Sequence, residues 1–291
     1  MYKAIKSVNE LDLDIGSVRY RLHCWGDPSG IPVFLLHGWA DVGMSFQFVV
    51  DEMADDWYLI APDWRGFGDS QWQPGGYWFP DYLADLEAII DSFCPSSPVR
   101  LVGHSMGGNV AWMYAGIRPE RVSHAVSLDV YGLTDSSPEM APSHYKRWLD
   151  QLKQKQMFSN YADIDGVTER LLKLAPRLGA DRARFLADNW CDKNEQGHYS
   201  LKHDPAHKRV NSVLYRRQEA VSCWREITAK VLLVLAKESS FYSRYQSEGF
   251  QTELNENILN LQEAFIDSSG HMVHLEQPAS LASVLGKFLI S

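Results

Sequence analysis

Val102-Gly103-His104-Ser105-Met106-Gly107-Gly108 is the stretch whose reading decides the fold of this chain. An apolar strand stands in front of it (Val99, Leu101, Val102), and a helix is expected behind it from Asn109 to Ile117. A serine between two glycines, entered from a strand and left by a helix, is the pattern of a nucleophile elbow. So sharp a turn forces Ser105 into a strained backbone conformation, and side chains on its neighbours would collide. Gly103 and Gly107 remove those collisions and leave the hydroxyl clear at the carboxyl edge of a sheet. An ordinary Gly-rich turn can share the same letters, so the flanking strand and helix matter more than the pattern itself.

Working outward, Leu11, Leu13 and Ile15 alternate with Asp12 and Asp14, and Val18, Tyr20 and Leu22 continue the alternation. This predicts an edge hairpin around Ile15-Gly16-Ser17. Val33 to Leu36 and Trp57 to Ala61 are unbroken apolar runs, as in strands buried on both faces. Between them a helix is expected through Phe46, Val49, Val50 and Met53. A helical stripe follows at Tyr82, Leu83, Leu86, Ile89 and Ile90. Arg121 to Leu128 reads as the next strand, ended by Asp129. Strands and helices alternating in this order predict an α/β fold with a mostly parallel central sheet flanked by helices.

From 132 to 227 no buried strand is visible. Helical stripes are expected at Tyr145, Trp148, Leu149 and Leu152, then at Val167, Leu171 and Leu174. A third runs through Val210, Val213, Leu214, Val221 and Trp224. The sheet resumes at Val231 to Leu235. A helix is expected over about 243–257, a last strand near Ala264 to Ile266, and a terminal helix from Pro278 through Leu281, Val284, Leu285 and Phe288. Residues 1–131 and 228–291 are therefore read as the core, and 132–227 as a helical cap inserted over the edge that bears Ser105.

The 291 residues are 45% hydrophobic and carry a net charge of -9, enough for one large core with an insertion and without a basic patch. Nucleic acid or an anionic membrane is not expected as the main partner. Met1 to Lys6 leads into alternating residues rather than an apolar secretory segment, and no run approaches the roughly 20 apolar residues of a membrane helix. Cys24, Cys94, Cys191 and Cys223 lie far apart without a C-x-x-C pair. Free thiols and a cytoplasmic location are the expectation.

A serine hydroxyl needs a neighbouring base. His271 stands just after the last strand and before the last helix, where its side chain can reach the same sheet edge. With His37-Gly38-Trp39, the D-x-R-G-x-G-x-S loop from Asp63 to Ser70, the elbow and Gly270-His271 in order, the chain resembles the α/β-hydrolase superfamily over nearly its whole length. The resemblance implies Ser105 as nucleophile, His271 as base, and an oxyanion hole from the backbone N–H groups of Trp39 and Met106. It is also similar to the kraken and serine hydrolase-like branch, which lacks the usual late Asp.

The acid departs from the usual pattern. Most relatives carry G-x-x-D after the strand matching Val231 to Leu235, whereas this chain has Ala236-Lys237-Glu238-Ser239. Asp129, one strand earlier, occupies the other position used within the superfamily and is preferred, with Glu238 as the alternative acid. Asp129 could also be a turn cap. His37 is expected to shape its own loop, Asp63 and Arg65 to fix theirs between themselves, and His104 to point away from the nucleophile. His274 is expected to pack on the terminal helix. His198, His203 and His207 lack metal-ligand spacing and are expected as solvated loop residues, while Asp204 to Arg209 could bring a charge to the pocket.

A Ser at the elbow argues against the Asp-based dehalogenases and epoxide hydrolases of the superfamily and for acyl chemistry. The expectation is a cytoplasmic carboxylesterase-like serine hydrolase, acting without cofactor or metal on a small to medium, largely apolar ester, as a monomer or homodimer. The aromatic residues Trp39, Phe46, Trp64, Trp72, Tyr77 and Trp78, and the cap tryptophans Trp148, Trp190 and Trp224, suggest the apolar substrate. The same residues would serve C–C bond, thioester or lactone hydrolysis, or acyl transfer. A non-catalytic ligand-binding member is the rival of a different class.

Overall fold

The computed structural model describes residues 2–247 and 249–291. Its first half sets down β1 (Asn9–Ile15), β2 (Val18–Trp25), β3 (Ile31–Leu36), α1 (Gln47–Val50), β4 (Trp57–Pro62), α2 (Phe79–Phe93), β5 (Val99–His104), α3 (Met106–Ile117) and β6 (Val122–Leu128). Next come α4 (Ala141–Leu152), α5 (Ile164–Leu174), α6 (Ala180–Trp190), β7 (Cys191–Lys193), β8 (Tyr199–Leu201) and α7 (Arg217–Arg225). The chain closes with β9 (Lys230–Ala236), α8 (Ser240–Ser247), α9 (Phe250–Asn257), β10 (Leu261–Ile266), α10 (Val273–Glu276) and α11 (Pro278–Leu289).

One eight-stranded sheet runs in the order β1-β2-β4-β3-β5-β6-β9-β10. Its pairs are parallel from β4 through β10, while β2 is antiparallel to both β1 and β4. Side chains of a strand alternate between faces, and here each face has its own core. Val33 and Leu35 of β3 join Phe48 and Val49 of α1 and Leu281 and Leu285 of α11. Phe34 and Leu36 join Leu86 and Ile90 of α2 and Val110 and Ala111 of α3. Val33 to Leu36 are fully buried, worth about 1.5–3 kcal/mol for each large side chain, which explains an apolar run without polar alternation. All four cysteines are free thiols, and among the described residues no helix is long and apolar enough to cross a membrane.

The region between β6 and β9 differs from the sequence expectation in four places. A short antiparallel hairpin, β7 with β8, appears where only helices are expected. The α6 helix is an additional one, burying Ala183, Leu186, Ala187 and Trp190 at helical spacing. Val210, Val213 and Leu214 are not helical, because the Asn211 side chain accepts the Val213 N–H at 3.1 Å and offers the backbone a turn instead. The remainder of that stripe forms α7, which packs on α3 so tightly that a Cβ on Gly116 would meet the Cys223 carbonyl oxygen at 1.8 Å. Through these contacts α7, within the 132–227 span expected as a cap, lies against the core helix α3. The α4 stripe forms as expected but faces outward, with Tyr145, Leu149 and Leu152 each about half exposed. The single helix expected over 243–257 is two helices, α8 and α9, the second preceded by Gly249 at φ 73°; Glu248 lies outside the described residues.

Asp63 at the end of β4 anchors the loops at that edge. Its carboxylate accepts the N–H groups of Gly43 at 2.7 Å and Asp69 at 2.9 Å and contacts His23 Nε2 at 3.2 Å. Arg65 does not pair with Asp63 as expected; it bonds Asp85 and Asp81. Burial of Asp63 opposes its charge, but His23 and the backbone donors outweigh burial and hold the carboxyl at about 2. A carboxyl depressed in the fold contributes stability above its unfolded value of about 3.9, lost as pH falls through the folded value. Asp63→Asn should therefore lower unfolding free energy by at least about 2 kcal/mol at neutral pH. Urea titrations at stepped pH should show that gap closing between about pH 4 and pH 2; a gap independent of pH would contradict the assignment.

Candidate active site

Ser105 sits between β5 and α3 with φ 51° and ψ -116°, a conformation ordinary side chains avoid. The glycines around it are sterically required. A Cβ on Gly103 would lie 2.1 Å from the Gly107 carbonyl oxygen, and one on Gly107 would lie 2.1 Å from the Leu36 carbonyl oxygen. Backbone bonds hold the turn in place: Ser105 N–H donates to Leu128 at the end of β6, and Gly108 and Asn109 N–H donate back to Ser105.

Asp129 immediately follows Leu128, so the elbow and Asp129 are registered by one backbone bond. It is fully buried, with φ 54°. Its Oδ2 lies 2.7 Å from His271 Nδ1, its Oδ1 accepts Ala236 N–H at 3.0 Å, and Ser239 Oγ donates to Oδ2. A carboxylate can only accept, so His271 must carry its proton on Nδ1, leaving Nε2 free to act as a base. Phe241 stacks on the His271 ring at 5.3 Å. His104 Nε2 donates to the His271 carbonyl at 2.8 Å, and Glu276 accepts Gly270 N–H at 2.6 Å, fixing the loop from both sides. No hydrogen bond joins Ser105 Oγ to His271 among the described residues, and such bonds often tighten only with substrate.

Glu238, the alternative acid, does not reach this site. Its side chain is about half exposed and pairs with Arg177 at 2.7 Å. Only its backbone faces inward, through Glu238 N–H to the Ser269 carbonyl. The next residue, Ser239, stands where most superfamily members carry Asp and donates to Asp129 instead. Sequence reasoning flagged that position as a departure and gave it no task.

The N–H groups of Trp39 and Met106 make no hydrogen bond among the described residues, and both residues line a cleft of about 510 Å³. The cleft is lined by Tyr77, Trp78, Phe79 and Tyr82, by Trp148 and Leu152 of α4, and by Ala206, His207 and residues 209–212. Of the aromatic residues expected near a pocket, Trp39, Tyr77, Trp78 and Trp148 line it. Phe46, Trp64, Trp190 and Trp224 are buried core, and Trp72 is about half exposed. His37 behaves as expected, donating from Nδ1 to Gly38 and accepting Trp64 N–H at Nε2, and burial lowers its pKa.

His203 and His207 are not solvated. His203 is buried among Phe67, Phe158 and Trp190. The His207 ring is stacked between Phe67 at 3.8 Å and Tyr77 at 3.5 Å, and burial pushes its pKa down to about 3. His274 also exceeds its expected packing role. Its Nε2 contacts Asp41 Oδ2 at 3.2 Å, and with His104 these residues bring possible metal-ligand atoms within 4.8 Å of one another. Asp41 already accepts from Val42 N–H, Ser45 Oγ and Trp190 Nε1, so its lone pairs serve hydrogen bonds within the core. The elbow generates its own prediction. Gly103→Ala forces a contact that backbone cannot relieve and should cost about 3 kcal/mol or more; an unchanged denaturation midpoint would contradict the packing described.

A family model described as the alpha/beta hydrolase fold matches residues 31–278. The chain is 29% identical to a serine hydrolase-like protein of Danio rerio, covering 98% of this chain and 89% of that protein. It is 26% identical to serine hydrolase-like protein 2 of Homo sapiens over 97% of this chain and 94% of that one. Among solved structures, the thioesterase domain from the curacin biosynthetic pathway superposes with a TM-score of 0.87 at 24% identity, covering 98% of this chain and all of that one. The match in sequence spans the elbow, the D-x-R-G loop and the His271 segment together, and the chain belongs to the α/β-hydrolase family.

Proposed function

We propose that this protein is a serine hydrolase of carboxylesterase type, working through an acyl-enzyme on Ser105. The observation that carries the reading is the 2.7 Å contact of His271 Nδ1 with buried Asp129, registered to the Ser105 turn by the bond from Ser105 to Leu128. In this reading Ser105 Oγ attacks the ester carbonyl as its proton passes to His271 Nε2. Negative charge collects on the carbonyl oxygen, where the N–H groups of Trp39 and Met106 receive it, each worth a few kcal/mol of barrier. Asp129 holds the imidazole tautomer and stabilises the imidazolium. His271 then returns the proton to the leaving alcohol, and water repeats the sequence to release the acid.

The aromatic residues of the cleft, Trp39, Tyr77, Trp78, Phe79, Tyr82 and Trp148, support a small to medium, largely apolar acyl group. We place the protein in the cytoplasm as a monomer or homodimer acting on a small molecule rather than on nucleic acid or membrane, with the free thiols and acidic balance as support. The 132–216 segment is proposed to act as the cap of the site.

Hydrolysis of p-nitrophenyl butyrate tests the reading, with thioester, lactone and diketone substrates run beside it. Ser105→Ala and His271→Ala should each reduce kcat by at least about 10³-fold, and Asp129→Asn by about 10³–10⁴-fold. Glu238→Gln should stay within about twofold, since its side chain is a surface ion pair. Loss of activity in Glu238→Gln would move the acid to the later strand. Failure of the wild type both to turn over esters and to take a fluorophosphonate label on Ser105 would favour a binding role.

A further inference from the structure

The cleft contains a cation that the hydrolase reading does not use. Arg209 lines it, and the Arg209 Nε is buried without a hydrogen-bond partner. Among the described residues its guanidinium has no carboxylate or carbonyl partner at all. The other charged groups of the cleft, and Tyr77 and His207, are already engaged. Arg65 is bonded to Asp85 and paired with Asp81. Tyr77 Oη donates to Asp204, which also accepts Ala206 N–H. His207 contacts the Arg65 carbonyl and is kept neutral by burial. A guanidinium that lines a cleft with no counter-charge of its own leaves its charge to be matched by an anion brought by the ligand.

Arg209 is also held in place. Asp204 N–H donates to the Gly66 carbonyl, His203 bridges Phe67, and the His207 ring is clamped by Phe67 and Tyr77. The segment before Arg209 is thus fixed to the loop that follows β4. A guanidinium presented from a fixed backbone is suited to bidentate recognition of a carboxylate.

The direction of the substrate follows from which residues line the cleft. Trp39 and Met106, the residues whose N–H groups would receive the oxyanion, border it, whereas Ser105, His271, Asp129 and Phe241 do not, so the cleft opens from the oxyanion side of the elbow. The leaving oxygen must face His271 to receive a proton, so the part of the substrate inside the cleft is the acyl part. We propose that the acyl chain ends in an anionic group, a carboxylate or equivalent oxyanion, and that Arg209 receives it. The aromatic walls cover the methylenes between, and the proposal rests on the hydrolase reading for the orientation of the chain.

The test compares p-nitrophenyl hemi-esters of dicarboxylic acids, from adipate to suberate, with neutral p-nitrophenyl esters of matched length. The wild type should prefer the hemi-ester in kcat/KM by about tenfold or more, and Arg209→Gln should abolish that preference. Absence of the preference in the wild type, or its survival in Arg209→Gln, would overturn the proposal. A second measurement needs no turnover: calorimetric binding of the adipate hemi-ester to Ser105→Ala and to Ser105→Ala with Arg209→Gln. Binding about tenfold weaker in the second protein supports the anion site even if the wild type proves not to hydrolyse esters. Equal affinities, or no binding to either, sink it. Sulfonate-terminated analogues in the same series separate a carboxylate-specific site from a general anion site, the two sources of the proposed charge.

Discussion

The buried carboxylate of Asp129 ties together the ends of three neighbouring strands. It leaves β6 in a left-handed turn, accepts a backbone N–H from the end of β9, takes the Ser239 hydroxyl, and contacts the ring of His271 beyond β10. An ionised group without solvent is tolerated only when its lone pairs are filled, and here three donors fill them. That contact orients the imidazole through Nδ1 and leaves Nε2 without a partner among the described residues. Ser239, at the later strand where the sequence lacks an Asp, donates to Asp129 at the end of the strand before it.

Around that centre, strain is concentrated where function is proposed. Ser105 and Asp129 are both non-glycine residues at positive φ, and one backbone bond from Ser105 to Leu128 couples the two turns. The cost is sustained by the four fully buried apolar residues of β3 and the double-sided cores beneath. Asp63 works in parallel on the other side of the elbow, holding the loops after β3 and β4 through backbone N–H groups. Both carboxylates are buried, and each acts on loops through donors that sequence distance conceals.

Much of the core and part of the site were legible in the chain itself. Period-two alternation in β1 and β2, unbroken apolar runs in β3, β4 and β9, and the glycines at 103 and 107 each report a local constraint, and the structure carries all of them. The stripes of α2, α5 and α11 were equally plain. Reading failed where local pattern and tertiary environment disagree. Val210, Val213 and Leu214 have helical spacing, but Asn211 bonds its own backbone. His203 and His207 lie in a polar stretch and look solvated, yet Phe67, Tyr77 and Trp190 enclose them from elsewhere in the chain. The α6 helix, with apolar residues at 183, 186, 187 and 190, had a readable signal that composition around it obscured.

By itself the sequence determined the fold class, the strained serine turn, and a histidine after the last strand, because each depends on neighbours within a few residues. Only the tertiary structure shows which carboxylate meets the His271 ring: Asp129 contacts it, whereas Glu238 pairs with Arg177 at the surface. It also decided that Arg209 lines the cleft with no ion-pair partner of its own among the described residues. Side-chain direction and the absence of a partner are properties of packing between distant segments, and no local spacing encodes them.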